Sequence, residues 1–336
     1  MPVQELRAVE WMIAASRFLL QDDLKTGRDG ETHIRCASGR RRNPMVTTVA
    51  LSGAGGLIGR AVAARLAESG HAVRALRHGG ALPAPSAPSQ AFREALAGAD
   101  LVVHCAALNS DRGTSPQALD AANGVLTARL AEAAAEMPGC GFIYLSSTRA
   151  VADSGVDCMI GPDTPPRPTG AYGRSKLLGE TGVREAFGVL GNRRAFILRL
   201  PMVYGQGMRG LLGLLLRLAR SPLPLPLGGL KGVRPLLGLD KAVGAILHLA
   251  GLSPAPLRTL VAADAEPLSL SEIATAFRAG LGRRPGILGF PPPAFGPLRA
   301  LQVRQACDVS ALAALGWEPR TDTPAALAAL AAGKRP

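Results

Sequence analysis

The sequence predicts an α/β protein: a doubly wound parallel sheet followed by a smaller carboxyl-terminal lobe. From residue 46 onward, short apolar or β-branched runs alternate with longer alanine- and leucine-rich helical patterns, which is typical of strand–helix–strand units. A glycine-rich turn at residues 52–59 lies directly between the first run and the first helical pattern. After residue 204, proline- and glycine-rich stretches separate short helical patterns, which indicates a looser second lobe.

Five short runs have the length and composition of buried strands. The predicted strands are Val46–Ser52, Ala72–Leu76, Leu101–Cys105, Phe142–Ser146 and Ala195–Arg199. The predicted helices between them are Leu57–Ser69, Gln90–Leu96, Pro116–Glu136 and Ala171–Phe187. Because crossovers between parallel strands of one sheet are right-handed, this order predicts a binding crevice at the carboxyl edge of the strands.

The composition excludes several classes of protein. The net charge of +13 comes from 38 Lys+Arg against 25 Asp+Glu, but only 4% of the residues are aromatic, which argues against a nucleic-acid-binding surface. The cysteines are far apart and form no Cys-x-x-Cys pair, which predicts neither a metal site nor disulfides. No apolar run reaches the roughly 18 residues that span a bilayer, and no secretion signal is evident. We expect a cytoplasmic protein without nucleic-acid or membrane partners.

The turn Ser52-Gly53-Ala54-Gly55-Gly56-Leu57-Ile58-Gly59 has the context of a dinucleotide-binding loop, because it follows a strand and opens a helix. Glycines allow a tight turn and the close approach of a pyrophosphate, which then binds N–H groups at the helix amino end. The alternative is a tight turn with a purely structural role. The loop predicts a Rossmann-type dinucleotide-binding domain over residues 45–204. Residues 205–336 are then mainly a substrate-binding lobe, from which a strand can return to the main sheet.

Residues 1–44 differ in texture from the rest and end in a polar, basic run. Because Met45 immediately precedes the first strand pattern, we expect this extension to be a disordered tail or the result of a misassigned start. A basic targeting or partner-binding arm is the alternative.

Tyr172 and Lys176 are four residues apart on a predicted helix and therefore share one face. A phenol with a pKa of about 10 is a poor base at neutral pH, and a cation beside it favours the phenolate. The pair therefore predicts an acid/base centre, although this spacing is also frequent by accident.

Ser146, Ser147 and Thr148 end the strand pattern that precedes Tyr172. A hydroxyl at the carboxyl end of a central strand faces the crevice and can stabilise charge on a substrate oxygen. The alternative is a hydroxyl cluster that only caps the strand.

These motifs, in this order, resemble the extended short-chain dehydrogenases/reductases, the family that contains nucleotide-sugar epimerases and dehydratases. The resemblance covers roughly residues 46–330 and also includes His104-Cys105-Ala106-Ala107, Asn123, Leu198–Gly205 and Leu315–Pro319. It implies that Ser147, Tyr172 and Lys176 are catalytic, with Thr148 as the alternative to Ser147. It implies that NAD(P) binds at Gly53, Gly56, Leu57, Ile58, Gly59, Arg77, Ala106, Ala107, Tyr172, Lys176 and Pro201. Ser147 and Arg234, the latter toward the diphosphate, are the expected substrate-binding residues, and a homodimer through the long helices is expected.

The sequence departs from the family pattern after the second strand. Arg77 and His78 replace the usual acidic residue, which favours NADP slightly over NAD because a guanidinium suits a 2′-phosphate. The acidic element after the third strand is missing, and residues 82–89 are in its place.

The predicted function is that of an NAD(P)-dependent epimerase, dehydratase or 4-keto reductase of a nucleotide sugar. An NADP-dependent carbonyl reductase of a small or terpenoid ketone is the alternative among enzymes, and Arg77 favours it. A non-catalytic dinucleotide-sensing protein is the alternative of another class, since a fold does not establish a function.

Overall fold

The computed structural model describes residues 48–109, 114–153, 155–190, 193–252, 255–290 and 301–334. The extension over residues 1–44, and the first two residues of the first predicted strand, lie outside the described residues. None of the described helices is both long and apolar enough to cross a membrane.

The described strands are β1 (Thr48–Ser52), β2 (Ala72–Leu76), β3 (Leu101–His104), β4 (Gly141–Ser147), β5 (Cys158–Ile160), β6 (Arg194–Leu200), β7 (Met202–Tyr204), β8 (Val233–Arg234), β9 (Leu236–Gly238), β10 (Ala255–Val261), β11 (Leu268–Ser269) and β12 (Gln305–Cys307). The described helices are α1 (Leu57–Glu68), α2 (Ser89–Leu96), α3 (Pro116–Leu119), α4 (Leu126–Glu136), α5 (Ala171–Phe187), α6 (Gly210–Arg220), α7 (Leu239–Gly251), α8 (Leu270–Gly280), α9 (Ser310–Ala313) and α10 (Thr323–Ala331).

Six strands form one parallel sheet in the order β10-β6-β4-β3-β1-β2. β3, β4 and β6 are buried along their whole length, because helices cover both faces of a parallel sheet. One face packs against α1 and α7, and the other against α2, α4 and α5. The predicted doubly wound Rossmann-type sheet is therefore confirmed.

The predicted helix Pro116–Glu136 is not regular throughout. A π-helical segment, Asp120–Val125, lies between α3 and α4. Ser115 caps the start of α3 by accepting a hydrogen bond from the Ala118 N–H at 3.1 Å. Such π-helical insertions are frequent at functional sites, and this one contains Asn123.

The carboxyl-terminal part of the chain contributes to two cores. A separate apolar core is built mainly from α6, α8 and α10 and forms the smaller lobe. In contrast, α7, β10 and Trp317 belong to the core of the main sheet. Residues 205–336 are thus shared between the lobe and the sheet.

Candidate active site

The glycine loop forms a tight backbone cradle, in which Gly53 and Gly59 have no room for a side chain. Gly53 has a φ of +73°, and a Cβ there would lie 2.5 Å from the Ala106 nitrogen, so the loop and the end of β3 are in close contact. A Cβ on Gly59 would lie 2.1 Å from the Gly53 carbonyl oxygen, so α1 begins directly against the turn. Gly55 and Gly56 are exposed at this end of α1. The N–H groups of Leu57 and Ile58, at the start of the helix, are therefore available to an anion.

A chain of hydrogen bonds links the glycine loop to the middle of the long helix. The Ala106 N–H donates to the Ser52 hydroxyl at 3.3 Å, and that oxygen lies 2.5 Å from His104 Nδ1. His104 Nε2 lies 3.0 Å from the Thr127 hydroxyl, which donates to the Asn123 carbonyl at 2.6 Å. Since the Thr127 proton is used in this way, His104 donates from Nε2 and accepts from Ser52 at Nδ1. Burial lowers the pKa of His104 to about 3, so the ring stays neutral.

Asn123 ties the π-helical segment to two neighbouring elements. Its side-chain oxygen accepts from the Leu108 N–H at 2.7 Å, and its amide donates to the Leu108 carbonyl at 2.9 Å and the Ser175 hydroxyl at 3.0 Å. Ser175 in turn donates to the Tyr172 carbonyl at 2.9 Å. Asn123 therefore fixes the first turn of α5 against the segment that follows β3.

Asp153 fixes the start of α5, which carries Tyr172. Its carboxylate accepts hydrogen bonds from the Thr169 N–H at 2.8 Å, from the Thr169 hydroxyl at 2.5 Å and from the Gly170 N–H at 3.2 Å. These bonds lower the pKa of Asp153 although partial burial opposes them. A negative charge at a helix amino end is also favoured by the helix dipole.

Ser147 and Tyr172 meet at the carboxyl edge of the sheet. Ser147 ends β4, Tyr172 is in the first turn of α5, and the Ser147 hydroxyl is close enough to the Tyr172 phenol to act on its pKa. Burial raises the pKa of Tyr172, while the nearby Ser147 hydroxyl and the Arg149 charge act in the opposite direction. Tyr172 is therefore a protonated phenol at neutral pH, beside a hydroxyl. Thr148 is buried in the turn that follows.

Lys176 lies one turn after Tyr172 and is almost completely buried, with 1% of its surface exposed. Its ammonium donates to the Leu145 carbonyl at 2.6 Å and lies 4.3 Å from the centre of the Tyr144 ring. Burial lowers the pKa of Lys176 to about 7, although the charge of Glu180 opposes this shift. The Lys176 ammonium thus lies one helical turn from Tyr172, at the end of β4, in an apolar environment.

Glu180 continues the row of Tyr172 and Lys176 by one further turn, and the sequence analysis did not single it out. Both carboxylate oxygens are 2.9 Å from the Arg199 guanidinium, and one accepts from the Ser146 hydroxyl at 2.7 Å. The Arg199 hydrogen bonds and charge hold the pKa of Glu180 below its usual value, against the effect of burial. The four-residue spacing after Lys176 is the signal that could have identified it.

The remaining predicted site residues are placed at different distances from this centre. Ala106 contacts the glycine loop, and Pro201 follows β6 at the same edge of the sheet. Arg77 is exposed, directly after β2, which neighbours the glycine-loop strand. Arg234 is buried in β8, which pairs with β11 and not with the main sheet, and burial lowers its pKa.

Comparison with known proteins agrees with this architecture. The sequence profile described as "RmlD substrate binding domain" matches residues 47–227 of this chain. The chain belongs to this family. The RmlD family is part of the extended short-chain dehydrogenases/reductases, so the resemblance stated from the motifs is confirmed.

Two curated relatives of this RmlD-family chain have named activities. The chain is 31% identical over 180 residues to the dTDP-4-dehydrorhamnose reductase of Mycolicibacterium smegmatis, covering 53% of this chain and 51% of the relative. It is 32% identical over 166 residues to the dTDP-L-rhamnose 4-epimerase of Burkholderia thailandensis, covering 47% and 44%. The chain therefore spans about half the length of the curated relatives it matches.

Solved structures share the fold over most of the chain. The structure of MoeE5 in complex with UDP-glucose and NAD superposes with a TM-score of 0.69 at 23% identity, covering 84% of this chain and 97% of that one. The UDP-glucuronic acid 4-epimerase of Bacillus cereus in complex with NAD gives a TM-score of 0.69 at 19% identity, covering 85% and 96%. At this level of identity the likeness extends to the fold alone.

Proposed function

We propose that this protein is an NAD(P)-dependent enzyme that acts on the sugar of a nucleotide sugar, as an epimerase, a dehydratase or a 4-keto reductase. The observation that carries the proposal is the meeting of Ser147 and Tyr172 at the sheet edge, with Lys176 one helical turn below. The names of the reductase and the 4-epimerase among its relatives support the same class of substrate.

The chain's residues fit a nicotinamide dinucleotide. The cradle around Gly53 and Gly59 leaves room for backbone alone, and the exposed start of α1 offers N–H groups to a pyrophosphate. When bound there, the dinucleotide supplies the hydride acceptor and donor of the reaction. Leu57, Ile58, Ala106, Ala107 and Pro201 are the further residues that we assign to this site.

The chemistry of the protein itself is a proton transfer at the Tyr172 oxygen. Ser147 donates a hydrogen bond to the substrate oxygen and holds it beside the phenol. Because the pKa of Tyr172 is raised by burial, the resting phenol is protonated and able to donate its proton to the oxygen of a sugar ketone. Of the three activities, this protonation state favours reduction of a 4-keto sugar.

We further propose that the enzyme prefers NADP to NAD, because the Arg77 guanidinium binds the 2′-phosphate of NADP. Arg77 is exposed where β2 ends, and no acidic residue stands beside it in the sequence. The same feature supports the second candidate function, an NADP-dependent carbonyl reductase of a small or terpenoid ketone.

A homodimer through the long helices is also proposed. Val125 at the end of the π-helical segment is 42% exposed, and Leu178 on α5 is 44% exposed. These two elements pack against each other where Gly124, the neighbour of Val125, meets Leu178. Light scattering of the purified protein checks the expected molecular mass.

The decisive experiment is identification of the bound dinucleotide by mass spectrometry, followed by incubation with UDP-, GDP- and dTDP-linked sugars and their 4-keto forms. We expect a new sugar product with the wild type. Tyr172→Phe keeps shape and dinucleotide affinity but lacks the proton donor, so its turnover should fall by at least about a hundredfold. A variant with normal turnover would contradict the assignment of Tyr172. Turnover of simple ketones but of no nucleotide sugar would favour the carbonyl reductase.

A further inference from the structure

The Arg149 backbone is fixed between Ser147, at the end of β4, and the first turn of α5. Its N–H donates to the Ser147 hydroxyl at 3.2 Å, in the short helical turn Thr148–Ala150 that follows β4. On the other side, a Cβ on Gly173 would lie 2.3 Å from the Arg149 carbonyl oxygen, so the turn packs tightly against the first turn of α5. The Arg149 backbone is therefore held in place next to Gly173, the residue that follows Tyr172.

The Arg149 guanidinium lies beside Tyr172 as well. A Cβ on Gly170, two residues before Tyr172, would lie 3.9 Å from Arg149 Nη2. The Arg149 charge is close enough to lower the pKa of Tyr172. A cation therefore lies near the Tyr172 phenol.

Within the part of the chain that the structure describes, this guanidinium has no ion-pair partner. Arg149 Nε is buried and makes no hydrogen bond there. The carboxylate that Arg149 influences is that of Asp153, but its oxygens accept hydrogen bonds from Thr169 and Gly170 at the start of α5. A buried donor without an acceptor is costly, by about 1 to 3 kcal/mol. A bound ligand with an acidic oxygen would remove this cost.

We propose that Arg149 binds a carboxylate carried by the sugar ring next to the carbon that reacts, so that the substrate is a nucleotide-linked acidic sugar. A guanidinium offers two parallel donors that match the two oxygens of a carboxylate. The inference rests on the proposed function, because it takes Ser147 and Tyr172 as the groups that hold the reacting oxygen.

The position of Arg149 indicates that it binds this carboxylate and not the diphosphate, the other anionic group of the substrate. In a nucleotide sugar, the diphosphate is attached to the anomeric carbon, across the ring from a reacting C4. A cation beside the C4 oxygen therefore meets the substituent on C5, which is a carboxylate in an acidic hexose and a hydroxymethyl group in a neutral one. Arg149 thus distinguishes the two sugars by charge.

The test compares UDP-glucuronate with UDP-glucose, which differ only in this substituent, by titration calorimetry on the dinucleotide-loaded protein. The wild type should bind the acidic sugar about tenfold to a hundredfold more tightly, the range expected for hydrogen bonds to a charged group. Arg149→Gln should remove that preference and leave the affinity for UDP-glucose unchanged. Arg149→Lys, which keeps the charge but not the two parallel donors, should keep part of the preference.

Arg174→Gln is the matched control, because Arg174 is an exposed arginine two residues after Tyr172 and its loss changes the net charge equally. It should leave the preference as in the wild type. A wild type without preference for UDP-glucuronate overturns the inference even if the variant fails to fold, and the proposed function then stands. An equal loss of affinity for both sugars in Arg149→Gln overturns it too. If neither sugar binds although the dinucleotide does, the proposed function fails together with the inference.

Discussion

Lys176 donates a 2.6 Å hydrogen bond to the Leu145 carbonyl from a position where its ammonium is enclosed by protein. Leu145 immediately precedes the hydroxyl cluster of β4, so this bond links α5 to the strand that carries Ser147. The charged form of a buried ammonium is disfavoured unless it is well paired, and the pKa of about 7 reflects this. The burial of Lys176 beside the end of β4 is therefore costly to the stability of the free protein.

This cost predicts a pH-dependent stability. The pKa of Lys176 is about 7 in the folded protein, against 10.5 for an unperturbed lysine. Between these two values the unfolded chain binds a proton that the folded protein does not, so the free energy of unfolding should rise with pH in that window. At pH 7, Lys176→Met should be more stable than the wild type by about 1 kcal/mol or more, and the difference should shrink toward pH 10.

Urea denaturation at several pH values measures this difference. Lys231 is exposed, so Lys231→Met is the control and should show no such trend. A constant difference between Lys176→Met and the wild type from pH 7 to pH 10 would mean that the buried lysine is charged throughout.

Ser147 and Thr148 can be distinguished by paired substitutions. Because the Ser147 hydroxyl lies near the Tyr172 phenol, Ser147→Ala should slow the chemical step by about 10²- to 10³-fold, as expected for loss of one oxyanion donor. Thr148→Ala should have a much smaller effect on turnover. Steady-state kinetics on the identified substrate checks both variants. The reverse pattern would assign the catalytic hydroxyl to Thr148.

The glycine loop predicts a sharp contrast between two neighbouring glycines. In Gly59→Ala the new methyl would lie 2.1 Å from the Gly53 carbonyl oxygen, whereas a Cβ on Gly55 meets nothing within 4 Å. Gly59→Ala should therefore destabilise the protein by about 1 to 3 kcal/mol and weaken dinucleotide binding, since the turn must open. Gly55→Ala should unfold like the wild type. Thermal denaturation and fluorescence titration measure the two effects, and similar unfolding of both variants would argue against this close packing.

We expect Arg77 to set the preference between NADP and NAD. A guanidinium at the end of β2 can bind a 2′-phosphate through charge-assisted hydrogen bonds, so NADP should bind at least as tightly as NAD. Arg77→Ala should weaken NADP binding about tenfold or more and leave NAD binding unchanged. Calorimetric titration of both proteins with both dinucleotides measures this. Equal affinities that the substitution does not alter would show that Arg77 points into solvent.

The strands of the main sheet differ in how accurately the sequence predicts them. β4 and β6 are buried on both faces, so they read as nearly continuous apolar runs and were predicted within one residue at either end. A strand that returns from residues 205–336 to the main sheet was expected, but its position at β10 was not predicted. β10 is an edge strand whose exposed and half-buried residues alternate and whose sequence begins in a proline-containing stretch. The π-helical segment was not predicted either, since periodicity does not separate it from an ordinary helix.

The site, too, contains residues that the sequence predicts and residues that it does not. Ser147, Tyr172 and Lys176 were proposed from spacing and from the family resemblance, because each lies on a regular element. Arg149 gave no such signal, since an arginine just after a strand is usually solvated, and only the packing of α5 against that turn places it beside Tyr172. The bond between Ser52 and His104 joins residues that are 52 positions apart, and no local pattern predicts it.

The edge position of β10 governs how this protein could be recombined with its relatives. A cut after residue 204 would remove β10 and leave β6 with unpaired backbone groups along a buried, apolar strand, which is a template for aggregation. It would also remove α7 and Trp317, which complete the core on one face of the sheet. A chimera that exchanges the smaller lobe with that of a relative therefore has to keep α7 and β10 with the main sheet. For the same reason, we do not expect residues 45–204 to fold when expressed alone.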